Sequence, residues 1–262
     1  MPLPPYLATT LAAPHGTEAG RPGARLRVAT YNVHRWAGVR GGRAFKPERA
    51  LDVLAELRAD VIALQEVLRP SDREADPILD AARRLDYHLA FVVTRLHKRG
   101  ELGNAILSRW PLSGALAIDL TFGRLEQRAA LAVEIRSDAG PLTVASTHLA
   151  LVDRTRARQV RALLDHPMMA SGPSILMGDM NAWRKTAASR ELDDAFRTKH
   201  HNEAWPASYP SVAPVMALDR LYARDARLTD LRAHVSPTAR RGSDHLPVLA
   251  TVDLSAPDVT RV

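Results

Sequence analysis

The sequence predicts an α+β fold: two mixed β-sheets packed face to face, with helices outside them, in a four-layer α/β/β/α sandwich. Three observations predict it. Short apolar runs of strand length recur along the chain, about nine to eleven of them, against about three or four helical patterns. The runs follow one another in groups and do not alternate strictly with helices, which argues against a doubly wound parallel sheet. No internal repeat or low-complexity tract appears after residue 24, and 262 residues are enough to bury a substantial core.

Residues 1–24 are rich in Pro, Gly and Ala, are broken early by Pro4 and Pro5, and have no basic stretch before their apolar part. They read as a disordered or surface-draped lead-in and not as a signal peptide. The folded domain is expected over 25–254, followed by a tail at 255–262. RLRVATYNV (25–33) reads as the first strand. PERALDVLAELRA (47–59) opens a helix on Pro47, with Leu51, Leu54 and Leu57 along one face. DVIALQEV (60–67) is a continuous apolar run ending in polar residues, as in a buried strand. A second helix follows, capped by Asp76 with Pro77 after it. Strands are then expected at 88–94, 104–108, 115–120, 129–135, 142–149 and 174–178. DRTRARQVRALLDH (153–166) reads as a basic amphipathic helix, and strands at 218–224 and 246–254 close the domain.

The 46% hydrophobic and 25% charged fractions are those of an ordinary soluble protein. The absence of cysteine excludes a disulfide framework, a thiolate zinc site and a cysteine nucleophile, so metal chemistry here must use oxygen and imidazole ligands. A net charge of +7 favours anionic partners, although the arginines are spread along the chain as they are on solvated helix faces. No segment reaches the ~20 apolar residues that span a bilayer, and a cytoplasmic location is expected.

Polar residues collect where these strands end. Asn32 closes the first, Gln65 and Glu66 follow DVIAL, and Asn104 precedes AILS. His148 closes LTVASTH, and Asp179 and Asn181 follow SILMG. Asp219 sits in ALDRLY, and Asp244 and His245 precede LPVLATV. In an extended chain positions i and i+2 share a side, so Asp179 and Asn181 are expected to face one target together. Carboxylates and amides suit a hard divalent cation, and imidazoles beside one suit proton transfer near neutral pH.

The stretches TYNVH, ALQEV, GNAILSR, STHL, MGDMNA, LDRLY and SDHLPV, in that order, resemble the endonuclease/exonuclease/phosphatase superfamily. The resemblance spans about residues 27–253. It implies that Glu66 is the main metal carboxylate, with Asn32 and Asp244 near the same cation, and that the cation is Mg2+ with Mn2+ able to substitute. It further implies that His245 contacts the scissile phosphate or activates water, with Asp219 as its carboxylate partner. By the same resemblance Asp179 orients or deprotonates the attacking water, Asn181 donates to a phosphate oxygen, and His148 contacts phosphate or acts as an acid. AP endonucleases typically carry an acidic residue where His34 stands and an asparagine-containing motif where His148 stands, so this chain is similar to the deoxyribonuclease, sphingomyelinase and inositol 5-phosphatase branches instead. His34 and His97 themselves read as surface histidines. Arg128, beside a strand start, is a candidate phosphate clamp with Glu126 as a weaker neighbour, and Asn104 is expected to line the pocket.

The function expected is a divalent-metal-dependent hydrolase of phosphate esters. A phosphodiester in nucleic acid or in a phospholipid headgroup is the first substrate class, and a soluble phosphorylated metabolite attacked by a phosphomonoesterase is the alternative. With 5% aromatic residues the chain shows no basic aromatic stripe for stacking single strands. Nor does it show a long apolar hairpin for a membrane surface.

Overall fold

The computed structural model describes residues 8–12, 20–71, 75–122, 127–138, 140–196 and 204–255. In chain order the elements are β1 (Ala8–Ala12), β2 (Arg25–Asn32), a 3-10 turn (His34–Trp36), α1 (Pro47–Leu57), β3 (Val61–Pro70), α2 (Pro77–Leu85), β4 (His88–His97), β5 (Gly100–Ser108) and β6 (Leu112–Asp119). They continue with β7 (Ala129–Ser137), β8 (Gly140–His148), α3 (Asp153–Leu164), α4 (Pro167–Ala170), β9 (Ser174–Asp179) and α5 (Ala187–Ala195). The last four are β10 (Asp219–Arg224), β11 (Arg227–Ala233), α6 (Ala239–Gly242) and β12 (Val248–Asp253).

A seven-stranded sheet runs β1-β4-β5-β3-β2-β12-β11, and a five-stranded sheet runs β10-β9-β8-β7-β6. Each sheet is antiparallel except for one parallel pair, β2 with β3 and β8 with β9. Those parallel pairs set strand C-terminal ends side by side, Asn32 with Gln65 and His148 with Asp179, which matters for the site below.

Side-chain alternation sorts the core into layers. Ile62 and Leu64 face outward from β3 and pack with Val53, Leu54, Leu57 and Ile78 of α1 and α2. Val61 and Ala63 face inward and meet Leu131, Val144, Ile175 and Met177 of the second sheet. On the far side Leu176 and Tyr222 are covered by Val160 and Leu163 of α3 and Leu192 of α5. Both faces of the central strands are therefore apolar, which is why DVIAL and SILM read as unbroken hydrophobic runs. A polar seam crosses between the sheets. Buried Gln65 accepts from Thr30 Oγ1 (3.2 Å) and donates to Ser146 Oγ (3.2 Å), which in turn donates to Leu64 O (3.2 Å).

The two-sheet sandwich is as expected, with differences in detail. Ala8–Ala12 forms a strand on the edge of β4, where the sequence reading places none. Backbone pairing, not side-chain pattern, holds it there. β11 and α5 also escape the reading: RLTDLRA lies largely exposed on a sheet edge, and AASRELDDA buries few residues. Asp76 stands at the N-cap of α2, but its carboxylate makes no cap bond and instead accepts from Arg69 Nε at 2.7 Å. Of the expected tail only Ser255 is among the described residues, and Glu126 lies outside them.

Candidate active site

Strand register assembles the site. In the second sheet Asp179 is the register partner of His148 on β8 and of Asp219 on β10, so three polar residues stand in one row across neighbouring strand ends. In the first sheet Asn32 is the partner of Gln65. The pairing of β3 with β5 slips between Leu64 and Val67, and Glu66 takes a left-handed φ of 52°. This bulge lifts Glu66 out of the ladder and turns its carboxylate toward the second sheet. His245 arrives on the segment before β12.

The row is closely spaced. His245 Nδ1 lies 2.8 Å from Asp219 Oδ2, which also accepts from Ser208 Oγ at 2.6 Å. His245 Nε2 and His148 Nε2 approach Asp179 Oδ2 at 3.8 Å and 3.4 Å. Asn32 Nδ2 donates to the same oxygen at 3.2 Å and approaches Glu66 Oε1 at 3.5 Å. Glu66 Oε2 is 3.5 Å from Arg35 Nε. Asp244 Oδ1 is 3.1 Å from His34 Nδ1.

Burial and these partners separate the two histidines. Burial opposes charge on His245, but Asp219, and after it Asp179, outweigh burial and push its pKa up to about 10. His148 is held well below the ordinary histidine value by burial and then by the Arg128 charge. At neutral pH one ring is therefore cationic and the other neutral. Burial raises Asp179 toward neutrality, against the pull of His245. For Asp244 burial acts upward, yet the hydrogen bond with His34 and the His245 charge hold its carboxyl below the usual range.

These groups line a pocket of about 600 Å3. Glu66, Asn104, Arg128, His148, Asp179, Asn181, Asp244 and His245 all border it. Asp219 and Asn32, fully buried or nearly so, act from beneath it. Asn104 commits its amide nitrogen to Ala129 O at 2.8 Å.

The i, i+2 argument for Asp179 and Asn181 requires correction. β9 ends at Asp179, and Asn181 has a left-handed φ of 48°. Asp179 Oδ1 accepts the Asn181 backbone N–H at 2.9 Å, a tight Asx turn, and Asn181 Nδ2 donates to Leu149 O at 2.8 Å. The two side chains reach one pocket through a turn and not through strand alternation.

Several site residues were missed. His34 is no surface histidine: it is half-buried against Asp244 and Gly38 O, 3.0 Å away. Arg35 and Arg95 line the pocket. Tyr209 packs its ring on His245, with centroids 4.9 Å apart. The signal for His34 was its spacing two residues after Asn32; nothing local marks Ser208 or Tyr209, which fold back over sequence distance.

The donor chemistry fits a hard divalent cation. Asp179, Asp219 and His245 put ligand atoms within 4.8 Å of one another. In that cluster His245 Nδ1 already bonds Asp219 Oδ2, while Asp219 Oδ1 is buried without a hydrogen-bond partner among the described residues. Glu66 and Asp244 are about a fifth exposed on the pocket wall. Their carboxylate oxygens, with Asn32 beside Glu66, are donors of the kind a hard divalent cation takes.

Strand-end carboxylates and imidazoles meeting between two stacked mixed sheets are the arrangement of phosphoester hydrolases that share this sandwich. The chain belongs to the endonuclease/exonuclease/phosphatase family, which it matches over residues 29–245. It is 27% identical over 252 residues to the uncharacterized protein YbhP of Escherichia coli (strain K12), covering 87% of this chain and 96% of that protein. An endonuclease/exonuclease/phosphatase structure from Beutenbergia cavernae is 25% identical with a TM-score of 0.66, covering 91% of this chain and 74% of that one. The human Nocturnin catalytic domain, solved with bound sulfate, shares the fold at 21% identity with a TM-score of 0.65, over 94% of this chain and 97% of that one. No described helix is long and apolar enough to cross a membrane.

Proposed function

We propose that this protein is a divalent-metal-dependent phosphodiesterase that cleaves its substrate by in-line attack of water. The observation that carries the reading is the row Asp219, Asp179 and His148 on adjacent strand ends, with His245 bonded to Asp219 at 2.8 Å and facing the same pocket. Glu66, Asn32 and Asp244 would hold the cation, which when bound polarises the phosphoryl oxygen and neutralises charge on the leaving oxygen.

The chain's own groups supply the rest. Asp179, raised by burial, is a competent acceptor for the water proton as the water oxygen bonds to phosphorus and the opposite ester bond breaks. Cationic His245 donates from Nε2 to a non-bridging oxygen, and Asp219 on Nδ1 keeps the ring charged and oriented. Neutral His148 contacts the phosphate from the other side of Asp179. Arg128 sits where a guanidinium can clamp a phosphate oxygen pair. Asn181 fixes the turn that presents Asp179 and keeps an amide hydrogen for the substrate.

Hydrolysis of bis(p-nitrophenyl) phosphate with Mg2+ tests the reading. The parent is expected to turn it over, and Glu66→Ala and His245→Ala to lose on the order of 100-fold or more. Equal, feeble rates in the parent and in Glu66→Ala would overturn it. Hydrolysis of p-nitrophenyl phosphate alone would transfer the assignment to a phosphomonoesterase.

A further inference from the structure

Nine large hydrophobic side chains are exposed among the described residues, and six of them line the pocket or lie on the segments that carry its lining residues. Leu151 and Trp183 line the mouth, and Val152 adjoins Leu151. Val212 and Val215 lie between Tyr209 and Met216, two pocket residues bridged to each other at the base of a short hairpin; Val215 is 76% exposed. Leu96, near the end of β4, follows the pocket residue Arg95. Phe45, Leu116 on β6 and Val235 beyond β11 stand outside this group. Scattered apolar side chains are ordinary on a protein surface; concentration at one rim is not.

Cations stand near these tips. Lys98 lies two residues after Leu96 and Arg154 two after Val152, with Asp153 between and ion-paired to Arg184, and Arg184 and Lys185 follow Trp183. Apolar tips among basic residues are the composition of a surface that seats at the headgroup boundary of an anionic bilayer, where aliphatic groups leave water and cations meet phosphate. Five of the six are Leu or Val, which have no ring to stack on a base, so the rim suits lipid better than single-stranded nucleic acid. The chain's +7 charge has the matching sign.

We propose that the pocket mouth docks on an anionic phospholipid surface and presents the pocket to headgroup phosphodiesters. The substrate class named here rests on the phosphodiesterase reading above; the docking does not, and is measured without turnover. In chelator, the full chain is expected to co-sediment with vesicles of phosphatidylcholine and phosphatidylglycerol and not with phosphatidylcholine alone, less so as salt rises. Combined Leu96→Asp, Val152→Asp and Val215→Asp should weaken that binding at least about tenfold while leaving bis(p-nitrophenyl) phosphate turnover unchanged. Val215→Asp alone, at the most exposed of these side chains, serves if the combined variant fails to fold, and should weaken binding in the same direction.

Failure of the parent to bind phosphatidylglycerol vesicles, undiminished binding by a folded variant, or tighter binding to a single-stranded oligonucleotide than to vesicles would each overturn the proposal. Vesicle binding by a parent that hydrolyses no phosphodiester would leave the docking standing and remove the catalytic reading.

Discussion

Each ring in the pocket takes its charge from what is buried against it, and that makes the pH behaviour of His245 predictable. Its folded pKa of about 10 lies above the ordinary value of about 6.5, so the native state keeps a proton that the unfolded chain releases. The resulting stabilisation is complete below about pH 6.5 and is lost as pH rises toward 10. In metal-free protein the thermal midpoint should therefore fall between pH 7 and 9.5, and Asp219→Asn should flatten that fall; parallel curves would refute the assignment. Ser208 shares the Asp219 oxygen with His245. Ser208→Ala should lower kcat roughly tenfold through loosened positioning, with KM little moved and the pH profile of kcat shifted. An unshifted profile would make the serine merely structural. Gly178 is a different case: a Cβ there would lie 1.9 Å from Thr147 O on the paired strand, at φ +155°. Gly178→Ala should cost at least ~2 kcal/mol by urea unfolding.

Among the elements, what could be read from sequence and what could not divide along a physical line. Pro47 opens α1 where expected, and the helix stops at Leu57 because Arg58 turns left-handed. The apolar runs of β3 and β9 were legible because both faces of each strand are covered. β1 and β11 were not, since edge strands draw their order from a partner strand; α5 was missed although its amphipathic pattern is as marked as that of α1. The site shows the same division. Glu66, His148, Asp179, Asp219 and His245 could be picked out at strand ends, but the bulge at Glu66 and the turn after Asp179 depend on register between strands. Ser208 and Tyr209 are bound to their partners by tertiary folding alone. Ser146 gives a check at this scale. Ser146→Ala strands the Gln65 amide between the sheets and should cost about 1–3 kcal/mol, whereas an unchanged urea midpoint would show the seam to be dispensable.

For the molecule as a whole, an acidic pocket wall shared by two sheets couples cation binding to stability. A ligand that binds only the folded state raises the melting temperature in proportion to its saturation. Added Mg2+ or Mn2+ should raise the melting temperature of chelator-treated protein, and Glu66→Ala should abolish most of the rise; an equal rise in both would locate the cation elsewhere. The polar seam has a last consequence. Gln65, which joins the sheets, is the immediate neighbour of Glu66, while His148, Asp179 and Asp219 ride on the opposing sheet. A slip of one sheet over the other by a fraction of a residue would part these groups with every strand still paired. Warmed gently, the enzyme should thus fall silent several degrees before its circular dichroism begins to change.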